Sequence, residues 1–71
     1  MDRERLKEAI RESGYRQEHI AKKMGLSTYG LAKKINGAND FKVSEAASLA
    51  QLLGLSKTDA ADIFFDLMLK I

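Results

Sequence analysis

The apolar residues of this chain recur at intervals of three and four, the spacing that places them on one face of a helix. No segment shows the strict alternation of a half-buried strand. The glycines at positions 14, 25, 37 and 54 each follow a periodic segment, where a helix ends most readily. The predicted helices cover about residues 2–13, 17–24, 28–35, 43–53 and, after a cap at Ser56, a fifth segment through residue 65. The pattern therefore predicts an all-α fold with five helices.

The segment from Gln17 to Gly37 organises the rest of the chain, since it contains two short helices joined by a tight turn. Ala21 is small enough to let a second helix cross close by. Gly25 permits the positive φ of a sharp helix end, and Ser27 is a favourable N-cap for the second helix. Two helices set across each other by such a turn form the helix-turn-helix unit, which places its second helix in the DNA major groove.

The same segment resembles the helix-turn-helix of the phage lambda repressor and Cro-like DNA-binding family. The matching residues are Gln17, Ala21, Gly25, Leu31, Asn36 and Gly37, with flanking matches at Gly14, Phe41, Leu49, Ala50, 53–56 and 62–65. No single match is specific, and the ordered series with its spacings carries the resemblance. It spans about residues 3–66 and implies a five-helix, repressor-like domain that binds double-stranded DNA.

Two sets of DNA-contacting residues follow from this resemblance and from the geometry of the unit. The base-contacting set lies at the start of the second helix and one turn further on, and comprises Ser27, Thr28, Tyr29 and Lys33. The phosphate-contacting set comprises Arg16, Gln17, Lys34 and Asn36. Arg16 stands where the family usually has a capping Ser or Thr, so the first amides of its helix are left for water or a phosphate.

The distribution of charge supports a nucleic-acid partner better than the net charge of +2 does. Residues 16–42 contain six basic and two acidic residues, whereas residues 1–15 are balanced and residues 43–71 carry a net negative charge. A positive surface around the suspected recognition helix is the electrostatic pattern of a DNA-binding protein. The alternative is an ordinary solvated helix surface, and the outer face of the first helix is interpreted in that way.

The end of the chain is unusually apolar. We divide the chain into a DNA-binding domain at residues 1–66 and an apolar tail at residues 67–71, which either continues the fifth helix or forms a dimer contact. An exposed apolar patch usually marks an interface. The predicted homodimer interface comprises Phe64, Phe65, Leu67, Met68, Leu69 and Ile71. Alternatively, the tail covers the chain's own first helix.

Composition argues against several other classes of protein. Cysteine is absent, the single histidine has no partner ligand, and there is no glycine-rich phosphate loop, so we expect no enzyme, no metal, no cofactor and no small-molecule ligand. No apolar run reaches the length of a membrane span, and the charged N-terminus lacks a signal-peptide core, so a cytoplasmic location is expected.

The sequence thus predicts a sequence-specific transcriptional regulator that binds a near-palindromic DNA site as a homodimer. The alternative function is a protein-interaction module, such as an antitoxin, an anti-repressor or an adaptor, that uses the same fold and the apolar tail.

Overall fold

The computed structural model describes residues 1–68, with side chains as far as Leu67. Within that range the chain forms helices and no strand, which confirms the predicted all-α fold. The helices are α1 (Arg3–Ser13), α2 (Gln17–Lys23), α3 (Thr28–Ile35), α4 (Val43–Leu52), α5 (Lys57–Ile63) and α6 (Phe65–Met68). The first four agree with the predicted ranges to within one residue at each end.

Side-chain caps begin three of these helices, as the sequence predicts. Asp2 Oδ1 accepts a hydrogen bond from the Arg5 amide at 3.1 Å, and Ser27 and Ser56 cap α3 and α5 in the same way. Arg16 and Lys42 precede α2 and α4 and provide no cap, because their side chains have donors but no acceptor. At α4 the Lys42 amide instead donates to the Glu45 carboxylate at 2.8 Å, which is one half of a capping box.

The prediction of a fifth helix continuous through residue 65 is wrong. Phe64 interrupts it with φ −107° and ψ 34°, and a sixth helix starts at Phe65. The interruption lets Phe64 bury fully beside Ile63, with its ring edge-on to Phe41 at 5.8 Å between centroids. In an unbroken helix the consecutive side chains of Ile63, Phe64 and Phe65 would spread over about 200° of its surface. The break thus buries two of them and leaves Phe65 half-exposed.

A single core joins the helices. α1 packs against both α3 and α5, and α2 packs against α3. The backbone amide of Asp2 donates to the Ile63 carbonyl at 2.7 Å, and the α-amino group of Met1 pairs with Asp66 at 2.9 Å. The core comprises Leu6, Ile10, Ile20, Ala21, Leu31, Ile35, Phe41, Ala46, Leu49, Ile63, Phe64 and Leu67.

The apolar residues at positions 43, 46, 47, 50 and 53, with Leu49 beside them, predict an apolar stripe on α4, and only part of it is buried. Ala46 and Leu49 face the core, whereas Val43 and Ala47 are exposed. Leu49 is the bulkiest residue near the middle of this helix, and its burial removes more apolar surface from water than burial of the alanines. Two apolar side chains consequently remain exposed on α4, among polar ones.

The boundary between domain and tail does not coincide with a structural boundary, because Leu67 packs into the common core. The Met68 side chain, Leu69 and Ile71, all predicted to lie in the dimer interface, fall outside the described residues. Across residues 1–68, no helix is long and apolar enough to cross a membrane.

Candidate nucleic-acid interface

The turn between α2 and α3 fixes the relative position of the two helices. The Leu26 amide donates to the Ala21 carbonyl at 2.8 Å, and the Gly25 amide donates to the Lys22 carbonyl at 3.2 Å. This pair of bonds is a Schellman motif, which requires the positive φ that Gly25 adopts at 71°. Ala21 is 1% exposed and lies between the two helices, where its small side chain permits their close approach.

The start of α3 presents a group of accessible side chains on a rigidly held helix. Ser27, Thr28 and Tyr29 are all exposed, and the Tyr29 ring is 74% exposed. One turn further on, Leu31 and Ile35 anchor the opposite face of α3 in the core. The sequence reasoning placed the base-contacting residues here, and the structure brings three of the four together at one helix end.

Lys33 completes that group through a contact with Tyr29. Its ammonium lies 5.3 Å from the centroid of the Tyr29 ring, a cation–π distance between residues one helical turn apart. The contact orients both side chains along the same exposed side of α3. A hydrogen-bond donor and an aromatic ring are thereby presented as one unit.

Gly30 has a packing reason within this site, which the sequence alone did not supply. The Ser27 hydroxyl accepts a hydrogen bond from the Gly30 amide at 2.9 Å. A Cβ atom at position 30 would lie 3.0 Å from that same hydroxyl oxygen. The absence of a side chain therefore leaves room for the N-cap, at the usual cost in helix propensity.

The phosphate candidates divide into two groups. Arg16, Gln17 and Asn36 are exposed, and Arg16 makes only a long contact of 3.9 Å with Glu18. Gln17 and Asn36 line the same cleft, between the start of α2, the end of α3 and α1. These three residues are available to a ligand.

Lys34 is placed differently, in an internal ion pair between α3 and α4. Its ammonium lies 2.7 Å from Glu45 Oε1 and also donates to the Asp40 carbonyl at 3.1 Å, and its side chain is only 14% exposed. Burial raises the pKa of Glu45, but the hydrogen bonds from Lys34 and the Lys42 amide, with the charges of both lysines, outweigh it and lower that pKa. Lys34 remains a predicted phosphate contact whose charge is already compensated within the chain.

The predicted dimer residues that the structure describes are also divided. Phe64 is 1% exposed and Leu67 7% exposed, so both side chains pack chiefly within the chain's own core. Phe65 is 53% exposed and is accessible to a partner. A small apolar groove lies between α4 and the segment from α5 to α6, and it is lined by Val43, Ala46, Ala47, Ala50, Ala60, Phe64 and Leu67.

Sequence reasoning missed the basic side chains of α1, which it assigned to a solvated scaffold surface. Lys7 and Arg11 line the cleft that contains Gln17 and Asn36, and Arg3 donates to the Asn36 carbonyl at 2.8 Å. The spacing of positions 3, 7 and 11 was the available signal, because residues four apart share one side of a helix.

No group of three or more His, Asp or Glu side chains in the described part of the chain could hold a metal ion. Comparison of the chain with protein-family models, with curated proteins and with solved structures finds no match.

Proposed function

We propose that this protein binds double-stranded DNA in a sequence-specific manner, with α3 as the recognition helix in the major groove. The observation that carries the proposal is the exposed Tyr29 ring with the half-buried Lys33 beside it, next to Ser27 and Thr28, on a helix whose other face is anchored in the core. A helix that reads base edges needs accessible donors and apolar groups held in a fixed orientation. The surplus of basic residues between positions 16 and 42 would favour the approach of DNA.

The exposed residues divide into two roles in this proposal. Lys33 can donate to the O6 or N7 acceptors of guanine, and the Thr28 methyl group or the Tyr29 ring can pack against a thymine methyl group. Arg16, Gln17 and Asn36 would donate to phosphate oxygens, which sets the register of the protein on the duplex without selecting sequence.

We further propose that two copies bind together. A two-fold dimer would place two recognition helices about 34 Å apart, one turn of B-DNA, and would read a near-palindrome. The half-exposed Phe65 ring and the apolar groove on α4 support a contact between copies, because exposed apolar surface is characteristic of interfaces. A regulator of this kind would respond to its own concentration through the dimer equilibrium.

The apolar groove also favours a second candidate function, a protein-interaction module. Its lining is almost wholly aliphatic and aromatic, and four of the lining residues are alanines. An apolar side chain of another protein would fit such a surface. In that case α4 and Phe65, and not the start of α3, would be the functional face.

Titration with a DNA duplex distinguishes the two candidates, because only the first predicts that a duplex binds through α3. We would titrate the ¹⁵N-labelled chain with a mixed-sequence DNA duplex at low salt and follow the backbone amide resonances. The proposal predicts shifts at residues 16–17, 27–33 and 36–37, with Val43, Ala47 and Ala61 unaffected as internal controls.

Absence of any perturbation would contradict DNA binding and favour the interaction module. Shifts confined to α4 and α6 would contradict the assignment of α3 as the recognition helix.

A further inference from the structure

A second row of basic side chains lies on α1, outside the helix-turn-helix unit. Arg3, Lys7 and Arg11 are each four residues apart and therefore follow one side of the helix. Lys7 and Arg11 line the cleft that α1 forms with the end of α3. Glu8 and Glu12 line a different cleft, between α1 and α5. The cleft toward α3 is thus lined by cations of α1, and the cleft toward α5 by two of its carboxylates.

The remaining arginine of α1 fits this arrangement. Arg5 lies on the α5 side, 3.2 Å from the Asp62 carboxylate and 3.6 Å from that of Asp59. Its charge is therefore compensated where the acidic residues are. The cleft beside α3 is lined by no carboxylate, although Arg11 pairs with Glu8 outside that lining.

Arg3 fixes the row relative to the recognition helix. Its guanidinium donates to the Asn36 carbonyl at the end of α3, and it packs against Gly37, where a Cβ atom would lie only 3.2 Å from the guanidinium carbon. Gly37 has φ 85°, so the chain turns directly beneath the arginine. The start of α1 is thus held against the end of α3, and the two helices would meet a ligand as one surface.

The cleft between them has the composition of an anion site. It has a volume of about 280 Å³, and it is open to solvent. Its polar lining consists of two cations and two amides, from Lys7, Arg11, Gln17 and Asn36, and its floor is formed by Ile10, Ala32 and Ile35. Ammonium, guanidinium and carboxamide groups are the side chains that usually donate to phosphate oxygens.

Arg11 has one competing partner, the carboxylate of Glu8 one turn before it. The Arg11 side chain is 72% exposed and that of Glu8 53% exposed. Exposed ion pairs of this kind contribute little free energy, so a phosphate can replace the carboxylate at low cost. Arg11 is therefore available to a ligand in the cleft.

We propose that this cleft seats a backbone phosphate of the DNA duplex, with Lys7 and Arg11 as its principal cationic contacts. Gln17 and Asn36 belong both to the cleft and to the proposed phosphate set, which makes the α1 row continuous with the DNA-binding face. The footprint on DNA accordingly extends beyond the helix-turn-helix unit. This inference rests on the proposed DNA binding.

The test measures how affinity for DNA depends on salt. We would follow binding of a fluorescein-labelled, mixed-sequence duplex by anisotropy between about 50 and 200 mM KCl, for the parent chain, Lys7→Gln and Arg11→Gln. Each phosphate contact contributes about 0.9 to the magnitude of the slope of log K, the binding constant, against the logarithm of salt concentration. Each variant should therefore lower the magnitude of this slope by about one. Because Arg11 is largely exposed, Arg11→Gln should leave the fold intact even if Lys7→Gln does not.

Lys57→Gln is the charge-matched control, because Lys57 is exposed at the start of α5 and does not line the cleft. It should leave the slope close to that of the parent chain. Equal slopes for the parent chain, Arg11→Gln and Lys57→Gln would overturn the inference while leaving the proposed function in place. A parent chain that binds no duplex would overturn both.

A parallel titration with inorganic phosphate distinguishes the source of the anion. Saturable amide shifts at residues 7, 11, 17 and 36, together with an unchanged DNA slope in both variants, would identify a site for free phosphate and overturn the assignment to DNA. Reduced slopes in both variants support the duplex backbone as the ligand.

Discussion

At the scale of single residues, the start of α3 combines a helix cap with a group of accessible side chains. The Ser27 hydroxyl caps the Gly30 amide, while the exposed Tyr29 ring lies under the ammonium of the half-buried Lys33. A cation over an aromatic ring has lost some of its freedom before any ligand arrives. Preordered side chains lower the entropic cost of binding.

Replacement of Lys33 by alanine should relax base preference at one position of the DNA site. A good contact between a side chain and a base contributes about 1–3 kcal/mol of discrimination, which is roughly a 5- to 150-fold change in relative affinity. Competition binding with duplexes varied at single positions measures this change. Lys23→Ala on α2 is the control for loss of one exposed charge, and equal preference in Lys33→Ala and the parent chain would count against base contact.

At the scale of helices, the caps and turns were predictable and the long-range contacts were not. Asp2, Ser27 and Ser56 act on amides three residues away, so a local pattern is sufficient to identify them. The helix break at Phe64 depends on a contact with Phe41, which lies far away in the sequence. No short window of sequence contains that information.

The same limit applies to the candidate site. The exposed start of α3 follows from the helix-turn-helix spacing, and it was predicted. The ion pair of Lys34 with Glu45 and the cleft beside Lys7 and Arg11 depend on how α4 and α1 pack against α3. The alanines of α4 are a weak guide to its buried face, since Ala46 is buried and Ala47 is exposed.

The ion pair between α3 and α4 should make stability depend on pH. The pKa of Glu45 is lowered in the folded state, so its contribution to stability is present above its pKa in the unfolded chain and is lost as pH falls through the folded value. Glu45→Gln should cost about 1.5–3 kcal/mol at neutral pH, the usual value of a hydrogen bond to a charged group. The cost should shrink in acid, where the parent carboxylate is protonated.

Denaturant unfolding at neutral and acidic pH measures this difference. Glu12→Gln is the matched control, because Glu12 is exposed on α1 away from this pair. A loss of stability in Glu45→Gln that is the same at both pH values would show that the ion pair is not its cause.

At the scale of the whole molecule, the surface separates into faces of different character. The basic residues around α3 and the α1 row lie near one another, and the apolar groove and Phe65 belong to the segments from α4 to α6. DNA binding and self-association would therefore use different surfaces. One chain could contact a duplex and a second copy at the same time.

Phe65→Glu should weaken self-association without unfolding the chain, since the ring is 53% exposed. Sedimentation at tens of micromolar should show a dimer for the parent chain and a monomer for the variant. Thr58→Glu, an added charge at an exposed position of α5, is the control and should remain dimeric. A monomeric parent chain would contradict the proposed contact between copies.

The central claim is that α3 selects a DNA sequence, and selection of bound duplexes from a random library at near-physiological salt tests it most directly. The account predicts enrichment of a two-fold symmetric site with half-site centres about one helical turn, some 34 Å, apart. Retention of duplexes without any enriched sequence, or no retention at all, would contradict it.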